Sequence, residues 1–217
     1  MKDALIILSG GMDSVTLLHE RSSEIALAVT FDYGSLQNDR ERPFAQLHCE
    51  RLGIPHIVIP LTFIKQYFKS AMLENADAIP DGRYDDESMR STVVPFRNGI
   101  MLSIACGIAE SNDLRRVMIA NHAGDHAIYP DCRDAFITAM SAATSAGTYV
   151  GITVDAPYTT LTKGDIARRG KALGINYAET YSCYKGGERH CGTCGTCVER
   201  REAMLEAGID DPTIYLA

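Results

Sequence analysis

The chain has 217 residues, 46% hydrophobic and 23% charged, close to ordinary globular usage, which suits one large domain or one domain with a small appendage. The net charge of -7 argues against broad nonspecific binding to nucleic acid but permits a local basic site. No apolar run approaches the ~20 residues of a membrane span, and the N-terminal run is too short for a signal peptide. We therefore expect a cytoplasmic protein whose seven cysteines are thiols or metal ligands rather than disulfides.

The segment SGGMDS at 9–14 follows the apolar run 4–8, which has the length and branching of a strand buried on both faces. Gly10 and Gly11 lack a Cβ, so the backbone can turn sharply there and come close to a ligand. A helix then opens at Asp13, and its first amides lack internal partners and carry the positive end of the helix dipole. This strand, turn and helix together predict a phosphate site.

Two common phosphate-binding motifs are excluded because residues that they require are missing here. A Walker loop has a longer turn ending in Lys-Ser or Lys-Thr, and no lysine stands beside this turn. A dinucleotide fingerprint needs a third glycine, which is absent, although Asp32 would satisfy its acidic position. An ordinary strand-to-helix turn with a Ser or Asp N-cap is the plain alternative. The full pattern resembles the pyrophosphatase loop of N-type ATP pyrophosphatases such as GMP synthetase and tRNA thiolases, which adenylate a substrate oxygen and release pyrophosphate.

The rest of the chain alternates between short apolar runs and helical patterns. We predict strands at 25–31, 56–60, 117–120 and 151–154, helices at 40–52, 97–111, 134–146 and 163–173, and a surface loop or lid at 74–91. This alternation predicts an α/β fold, a Rossmann-like, doubly wound and mainly parallel sheet. Ligands of such sheets lie at the carboxyl ends of the strands, where Ser9, Asp32, Asn121 and Asp155 fall.

Four cysteines near the C-terminus have the spacing of metal ligands, C-x7-C-x2-C-x2-C, formed by Cys183, Cys191, Cys194 and Cys197. Four thiolates suit a closed tetrahedral zinc site, which contributes folding energy. An iron–sulfur cluster is the main alternative, but the Cys-Pro ending of ferredoxin runs is absent. A redox C-x2-C would leave two of the cysteines unexplained. We therefore predict zinc, with the neighbouring His190 facing solvent or substrate.

Two basic residues stand at predicted helix starts. Arg97, in VPFRN at 94–98, can contact a phosphate or carboxylate through two hydrogen bonds, or can be a surface arginine beside a capping Asn98. Lys163 follows the last predicted strand and can direct its charge at leaving pyrophosphate or be solvated.

The segment YPDCR at 129–133 carries groups suited to a purine-like ring. Tyr129 offers a flat aromatic neighbour, Asp131 an acceptor for ring N–H groups, and Arg133 a partner for a carboxylate. The alternative is an ordinary helix start with Asp131 as its cap.

Taken in order, these motifs resemble the 7-cyano-7-deazaguanine synthase family over essentially the whole chain. The resemblance rests on SGGMDS at 9–14, FDYG at 31–34, VPFRN at 94–98, YPDCR at 129–133, Lys163, TYSCY at 180–184 and CGTCGTCVERR at 191–201. It implies an ATP-dependent carbon–nitrogen ligase of queuosine precursor synthesis, which converts 7-carboxy-7-deazaguanine, ammonia and ATP into the nitrile. It also implies a bound zinc ion and a homodimer.

The resemblance further implies roles for individual residues. It implies binding of the ATP phosphates by Ser9, Gly10, Gly11, Asp13 and Ser14, and zinc binding by the four cysteines. From the residues themselves we add Leu8, Met12, Asp32 and Arg97 to the ATP site. We assign catalysis to Asp13, which would contact Mg2+, and to Lys163, and we assign substrate binding to Asn98, Tyr129, Asp131 and Arg133. We expect a nucleotide-binding domain over 1–180 and a zinc-binding segment over 181–217 packed on it. Two departures concern the substrate pocket: the run 35–38 replaces a Gln-Arg-His that many members carry after FDYG, and Phe96 replaces a glycine.

The implied chemistry needs activation because hydroxide is a poor leaving group from a carboxylate. Adenylation makes that oxygen a good leaving group, ammonia then gives the amide, and a second activation of the amide oxygen gives the nitrile. Helix amides, Mg2+ and a lysine are the expected stabilisers of charge on the phosphate oxygens. The alternatives are a related ligase that joins the deazaguanine acid to another amine, a tRNA thiolase, and a non-enzymatic zinc-ribbon module. The acidic net charge and the grouping of the cysteines disfavour the thiolase.

Overall fold

The computed structural model describes residues 2–73 and 78–216, which contain a five-stranded sheet. The strands are β1 (Ala4–Ile7), β2 (Ile25–Asp32), β3 (His56–Pro60), β4 (Arg116–Met118) and β5 (Thr153–Asp155). The α-helices are α1 (Met12–Glu20), α2 (Asn38–Leu52), α3 (Thr62–Tyr67), α4 (Arg97–Ser111), α5 (Asp134–Gly147), α6 (Lys163–Ala172) and α7 (Gly195–Glu206). Short 3-10 helices lie at Glu87–Thr92, Ala123–Ala127, Pro130–Cys132 and Tyr177–Glu179.

The strands pair in the order β3-β2-β1-β4-β5, and all four pairings are parallel. The chain builds outward from β1 through β2 to β3 and then crosses to the other side of β1 to form β4 and β5. The order therefore reverses between β1 and β4, which is the place where open α/β sheets form a ligand crevice at their carboxyl edge. The predicted α/β, doubly wound, parallel sheet is confirmed.

Apolar layers cover both faces of the sheet, and β1 contributes to each of them. Leu5 packs in the layer that contains Leu102 of α4, whereas Ile6 packs in the layer that contains Leu17 of α1 and Ile166 of α6. Successive residues of a strand point to opposite faces, so a strand covered on both sides must be apolar at every position. This explains the continuous apolar run at 4–8.

Most predicted elements are observed with ends shifted by at most two residues. The predicted strands 117–120 and 151–154 are Arg116–Met118 and Thr153–Asp155, and the predicted helix 40–52 begins at Asn38. Helices α3 and α7 were not predicted. Residues 74–77 of the predicted loop lie outside the described residues, and its later part contains the 3-10 helix Glu87–Thr92. None of the helices in 2–73 and 78–216 combines the length and apolar character that a membrane span needs.

Candidate active site

A cleft of about 210 Å³ opens at the carboxyl ends of β1 and β4, where the strand order reverses. Its lining comes from the turn after β1, the starts of α2, α4 and α6, the segment after β4, and the C-terminal segment. The predicted site residues that line it are Leu8, Ser9, Gly11, Met12, Asp13, Ser14, Arg97, Asn98, Tyr129 and Lys163. The structure thus brings most of the predicted ATP-binding, catalytic and substrate-binding residues to one place.

The turn after β1 is held by its two serines. Ser14 Oγ accepts hydrogen bonds from the amides of Ser9 and Gly10, at 3.2 and 3.4 Å, and Ser9 Oγ accepts one from the Gly11 amide at 3.0 Å. Gly10 has a φ of 104°, and a Cβ there would clash with the carbonyl oxygen of Glu41. Helix α1 begins directly after this turn, at Met12, and no side chain of the described residues caps its N-terminus. Its first amides are therefore open to an anion in the cleft.

A buried group of charges lies beside this helix start. Lys163 Nζ is 2.7 Å from Asp13 Oδ2 and 3.2 Å from Glu199 Oε2, and His122 Nε2 is 3.4 Å from Asp125 Oδ1. Burial opposes the charge on Lys163, but Asp13, Glu199 and Asp125 raise its pKa above the usual lysine value. The lysine therefore stays protonated. The second oxygen of Asp13, Oδ1, is buried and accepts no hydrogen bond from the described part of the chain.

A capping box fixes the position of Lys163. Thr162 Oγ1 accepts a hydrogen bond from the Asp165 amide at 3.1 Å, and Asp165 Oδ2 accepts one from the Thr162 amide at 3.0 Å. Helix α6 therefore starts at Lys163 and presents its ammonium to the turn after β1. The alternative that Lys163 is simply solvated is wrong, because only 12% of its side chain is exposed and its ammonium pairs with Asp13.

A cluster of three tyrosines, Tyr84, Tyr129 and Tyr184, also lines the cleft, next to the buried group of charges, and is called here the tyrosine wall. Tyr129 Oη is 2.8 Å from Thr92 Oγ1 and 3.1 Å from Tyr184 Oη, and Tyr84 Oη donates to Asp125 Oδ1 at 2.8 Å. Burial raises the pKa of all three tyrosines, so their hydroxyls stay neutral. Flat rings that carry polar hydroxyls suit a planar, polar ligand.

Arg97 lies in the cleft rather than on the surface. Its Nη1 donates to Tyr33 Oη at 2.9 Å, and its guanidinium lies 5.5 Å from the centre of the Tyr33 ring. The start of α4 is capped from another segment, because Asp131 Oδ2 accepts the Asn98 amide hydrogen at 2.8 Å. Two alternatives from the sequence are therefore wrong. Asp131 does not cap the helix that follows it, and the Asn98 side chain does not cap α4.

Four predicted site residues are absent from the lining of the cleft: Gly10, Asp32, Asp131 and Arg133. Arg133 is exposed and donates to the His126 carbonyl oxygen at 2.9 Å. Asp32 lines a separate, smaller pocket, where it is 3.2 Å from Arg42 Nη1. Gly10 shapes the turn through its backbone. The assigned contacts of these four residues with ATP or substrate stay predictions.

The four C-terminal cysteines converge in a buried cluster. The sulfurs of Cys183, Cys191, Cys194 and Cys197 all lie within 4.8 Å of one another, and those of Cys191 and Cys197 are 3.9 Å apart. Zinc bonds to sulfur of ~2.3 Å in a tetrahedron separate the sulfurs by about 3.8 Å. Backbone amides of Cys191 and Cys194 also donate to cluster sulfurs, each at 3.3 Å. The cluster could therefore hold a metal ion such as zinc.

His190 is buried beside this cluster, with 7% of its surface exposed. Its Nε2 accepts a hydrogen bond from the Ser182 amide at 3.1 Å, and its ring packs 4.5 Å from the ring of Tyr181. Burial lowers the pKa of His190 to about 4, which keeps the ring neutral. The prediction that His190 faces solvent or substrate is wrong, because the backbone bond and the aromatic contact hold it inside the segment.

The cysteine cluster also holds the chain that carries Tyr84. The Gly82 amide donates to the Thr193 carbonyl oxygen at 3.1 Å, and Lys185 Nζ is 2.5 Å from Asp81 Oδ1. Tyr184 directly follows the first cysteine ligand. Helix α7 starts at the third and fourth cysteines and brings Glu199 to Lys163. The C-terminal segment therefore forms part of the cleft itself.

Sequence reasoning assigned no role to several of these residues, namely Tyr84, His122, Asp125, Tyr184 and Glu199. The sequence could have pointed to Tyr184 and Glu199 as site residues, because each stands one or two residues from a cysteine that a metal would hold rigidly. Tyr84 had no such signal, since it lies in a polar stretch without periodicity.

Comparison with known proteins agrees with the motifs. A family model described as "Queuosine biosynthesis protein QueC" matches residues 3–208. The chain is 64% identical over 214 residues to a 7-cyano-7-deazaguanine synthase of Porphyromonas gingivalis, covering 99% of this chain and 97% of that protein. It is 48% identical over 218 residues to a protein of the same name from Desulfotalea psychrophila, covering 100% of both chains.

Among solved structures, the structure of NMN synthetase from Francisella tularensis aligns with a TM-score of 0.53 at 13% sequence identity. The alignment covers 97% of this chain and 79% of that one, and at this identity it supports the fold alone. The family model and the relatives, by contrast, match at the level of sequence over nearly the full length. On this basis the chain belongs to the QueC family of queuosine biosynthesis proteins.

Proposed function

We propose that this chain catalyses the ATP-dependent conversion of 7-carboxy-7-deazaguanine and ammonia to 7-cyano-7-deazaguanine through adenylated intermediates, as a step in making the queuosine precursor. The observation that carries the proposal is that an open helix N-terminus and the tyrosine wall line the same cleft. The helix N-terminus suits phosphates, and the tyrosine wall suits a planar heterocycle. The names of the relatives supply the substrate class.

On the phosphate side, the first amides of α1 and the ammonium of Lys163 would bind the phosphates of ATP. Both are present before ATP arrives, so they need little rearrangement as charge develops on the leaving pyrophosphate. Lys163 is held against Asp13 at 2.7 Å and stays protonated, which suits electrostatic stabilisation rather than proton transfer.

The residues around Asp13 fit a bound Mg2+ ion. Asp13 Oδ1 is buried, lines the cleft and accepts no hydrogen bond within 2–73 and 78–216, and carboxylate oxygens are preferred Mg2+ ligands. When bound, the ion would neutralise charge on the phosphate oxygens. Asp13 would hold the ion, and Lys163 would keep the remaining carboxylate oxygen in place.

On the substrate side, the tyrosine wall would bind the deazaguanine ring by stacking and through its neutral hydroxyls. Arg97 also lines the cleft and can pair with the carboxylate before activation or with the phosphate afterwards. No side chain needs to act as a nucleophile, because the substrate carboxylate oxygen itself attacks the α-phosphorus.

The Cys183, Cys191, Cys194 and Cys197 cluster would hold zinc in a structural role. Its four buried sulfurs leave no open coordination position for a substrate or water. The bound ion would fix the segment that carries Tyr184 and Glu199 and, through the contact of Gly82 with Thr193, the chain that carries Tyr84.

A cytoplasmic location and a homodimer complete the proposal. All seven cysteines lie in the described residues and form no disulfide, which suits a reducing compartment. The homodimer rests on the family resemblance, and size-exclusion chromatography with light scattering would test it.

The proposal is tested by incubating the protein with 7-carboxy-7-deazaguanine, ATP, Mg2+ and ammonium and identifying the products by mass spectrometry. We expect the nitrile together with AMP and pyrophosphate, and no ATP cleavage when the acid is omitted. A covalent product of the acid with a different added amine, without nitrile, would instead identify the related ligase. No ATP cleavage with the acid present would contradict both functions.

A further inference from the structure

Two side chains at the start of α2, Gln37 and Glu41, line the cleft beside the turn after β1. They stand four residues apart and therefore lie on the same face of the helix. Their surfaces are only 4% and 9% exposed, respectively. No step of the proposed reaction described so far uses either side chain.

Both side chains carry hydrogen-bond acceptors. The amide oxygen Oε1 of Gln37 is buried and has no hydrogen-bond partner in the part of the chain that the structure describes. Glu41 is also buried, and its Oε1 lies beside Gly11, 3.6 Å from where a Cβ would stand. A buried acceptor without a donor, such as Gln37 Oε1, is costly unless a ligand supplies the donor.

The chemistry of these acceptors limits what can occupy the space between them. A phosphate or carboxylate would be repelled, because it presents only acceptors. A small cation with several N–H donors would satisfy the amide oxygen and the carboxylate together. Among the reactants of the proposed reaction, ammonium has this character.

We propose that Gln37 and Glu41 bind ammonium, the nitrogen donor, and that Glu41 accepts its proton to release ammonia next to the activated substrate carbon. This inference rests on the proposed function and adds the nitrogen-donor subsite to it. The proton moves from ammonium to the Glu41 carboxylate. The nitrogen lone pair of ammonia then forms the C–N bond as the C–O bond to AMP breaks, which gives the amide, AMP and one further proton.

The electrostatics of Glu41 suit this proton transfer. Burial raises its pKa to about 8, and the charge of Arg97 opposes that rise. At pH values above this pKa the carboxyl is ionised, and it is then a stronger proton acceptor for ammonium than an exposed carboxylate. Tyr33 at the end of β2 and Tyr181 also line the cleft.

The test separates activation from nitrogen transfer in the full-length protein. Exchange of labelled pyrophosphate into ATP, with the acid present and no nitrogen donor, reports adenylation alone. In the Glu41→Gln variant we expect this exchange to persist while kcat/KM for ammonium falls by about 100-fold or more. Hydroxylamine is neutral near pH 7 and needs no proton acceptor before it attacks, so E41Q should form the hydroxamate at nearly the rate of the unaltered protein.

Two further variants complete the experiment. Gln37→Leu removes the amide oxygen and should raise KM for ammonium by about tenfold, with adenylation unaffected. It also carries the test if circular dichroism shows that E41Q is unfolded. Glu50→Gln is the matched control, because Glu50 is exposed on the same helix and accepts a hydrogen bond from Gln46 at 2.7 Å.

The outcomes distinguish the two proposals. If exchange persists and ammonium kinetics are unchanged in E41Q and Q37L, the nitrogen-donor subsite is overturned while adenylation stands. If exchange falls together with ammonium use, Glu41 serves the ATP site instead, and the inference is again overturned. If the unaltered protein shows no exchange that depends on the acid, the proposed function itself fails, and this inference fails with it.

Discussion

The two sides of the cleft are built in opposite ways. The phosphate side comes mainly from one contiguous segment, 9–14, where a strand, two glycines and a helix start succeed one another. The tyrosine wall takes its three members from segments 45 and 55 residues apart, at positions 84, 129 and 184. The first side depends on local backbone geometry, and the second depends on long-range packing.

This difference has consequences for stability. Ser9 and Ser14 hold the phosphate turn through hydrogen bonds that span five residues or fewer. The tyrosine wall instead relies on the cysteine cluster, since Tyr184 follows Cys183 directly and Tyr84 is tied to the cluster through Gly82 and Thr193. We therefore expect perturbations of the two sides to have different signatures.

Loss of the metal should have the largest effect. Cys197→Ser removes one of four ligands, so we expect little bound zinc, loss of activity, and a thermal midpoint lowered by about 10 °C or more. The near-ultraviolet signal of the tyrosines should weaken at the same time. Metal analysis, circular dichroism and product formation check these outcomes.

The control for this prediction is Cys49→Ala, which changes a buried cysteine outside the cluster and should leave zinc content unaltered. A metal-free Cys197→Ser protein with a full tyrosine signal and full activity would contradict the dependence of the wall on the cluster.

The next largest effect is a loss of catalysis without a loss of fold. Asp13→Asn keeps the size of the side chain but weakens the site for Mg2+ and the contact with Lys163 at 2.7 Å. We expect kcat to fall by about 100- to 1000-fold, with zinc content and the tyrosine signal unchanged. Steady-state pyrophosphate release measures the effect, and activity close to that of the unaltered protein would refute the phosphate-site assignment.

The pH dependence of stability should identify Glu41, which lies at the boundary of the phosphate side. Its pKa is raised in the folded state from 4.5 to about 8, so the fold favours the protonated carboxyl. As pH rises above 4.5 the unfolded state ionises first, and stability falls until the pH passes the folded value. The loss amounts to about 1.4 kcal/mol per unit of pKa difference, a few kcal/mol in all.

Glu41→Gln should remove this dependence, because glutamine does not titrate. Urea unfolding at pH 5 and pH 8 should show E41Q gaining stability relative to the unaltered protein at the higher pH. An equal difference between the two proteins at both pH values would contradict the raised pKa.

A smaller effect is expected within the tyrosine wall. Tyr84→Phe removes the hydrogen bond of 2.8 Å to Asp125 and leaves a buried carboxylate oxygen without that donor. We expect a loss of about 1–3 kcal/mol in the free energy of unfolding and weaker binding of the acid. Tyr67→Phe is the control, since 79% of Tyr67 is exposed. Equal stabilities for the two variants would argue against a role for this network.

The smallest effect concerns Phe96, which directly precedes the cleft residue Arg97. Phe96 has a φ of 55°, in the left-handed region that glycine adopts without penalty, and its ring packs 5.7 Å from that of Phe136. Phe96→Gly relieves the strain but loses the ring contact, so its net effect should be under about 1 kcal/mol.

Phe96→Ala loses the same ring contact and keeps the strain. The glycine variant should therefore be the more stable of the two by about 1 kcal/mol in chemical denaturation. Equal stability of the two variants would show that the left-handed conformation carries no penalty at this position.

The amino-acid sequence by itself determined the features that depend on short-range order. Alternating apolar runs and helical patterns predicted the parallel sheet, because strand and helix periods are local properties. The turn at 9–14 and the spacing of the four cysteines predicted an anion site and a metal cluster, since both use neighbouring residues to converge on one point.

The tertiary structure alone decided which distant residues share the cleft. It places Asp131 where one of its oxygens caps α4 through the Asn98 amide, and it leaves Arg133 exposed outside the lining. Glu41 on α2 and Tyr84 in the connection between β3 and β4 carried no signal in their own segments, but the fold brings both to the same cleft. Strand order and helix packing determine which of these distant residues become neighbours, and neither can be read from local periodicity.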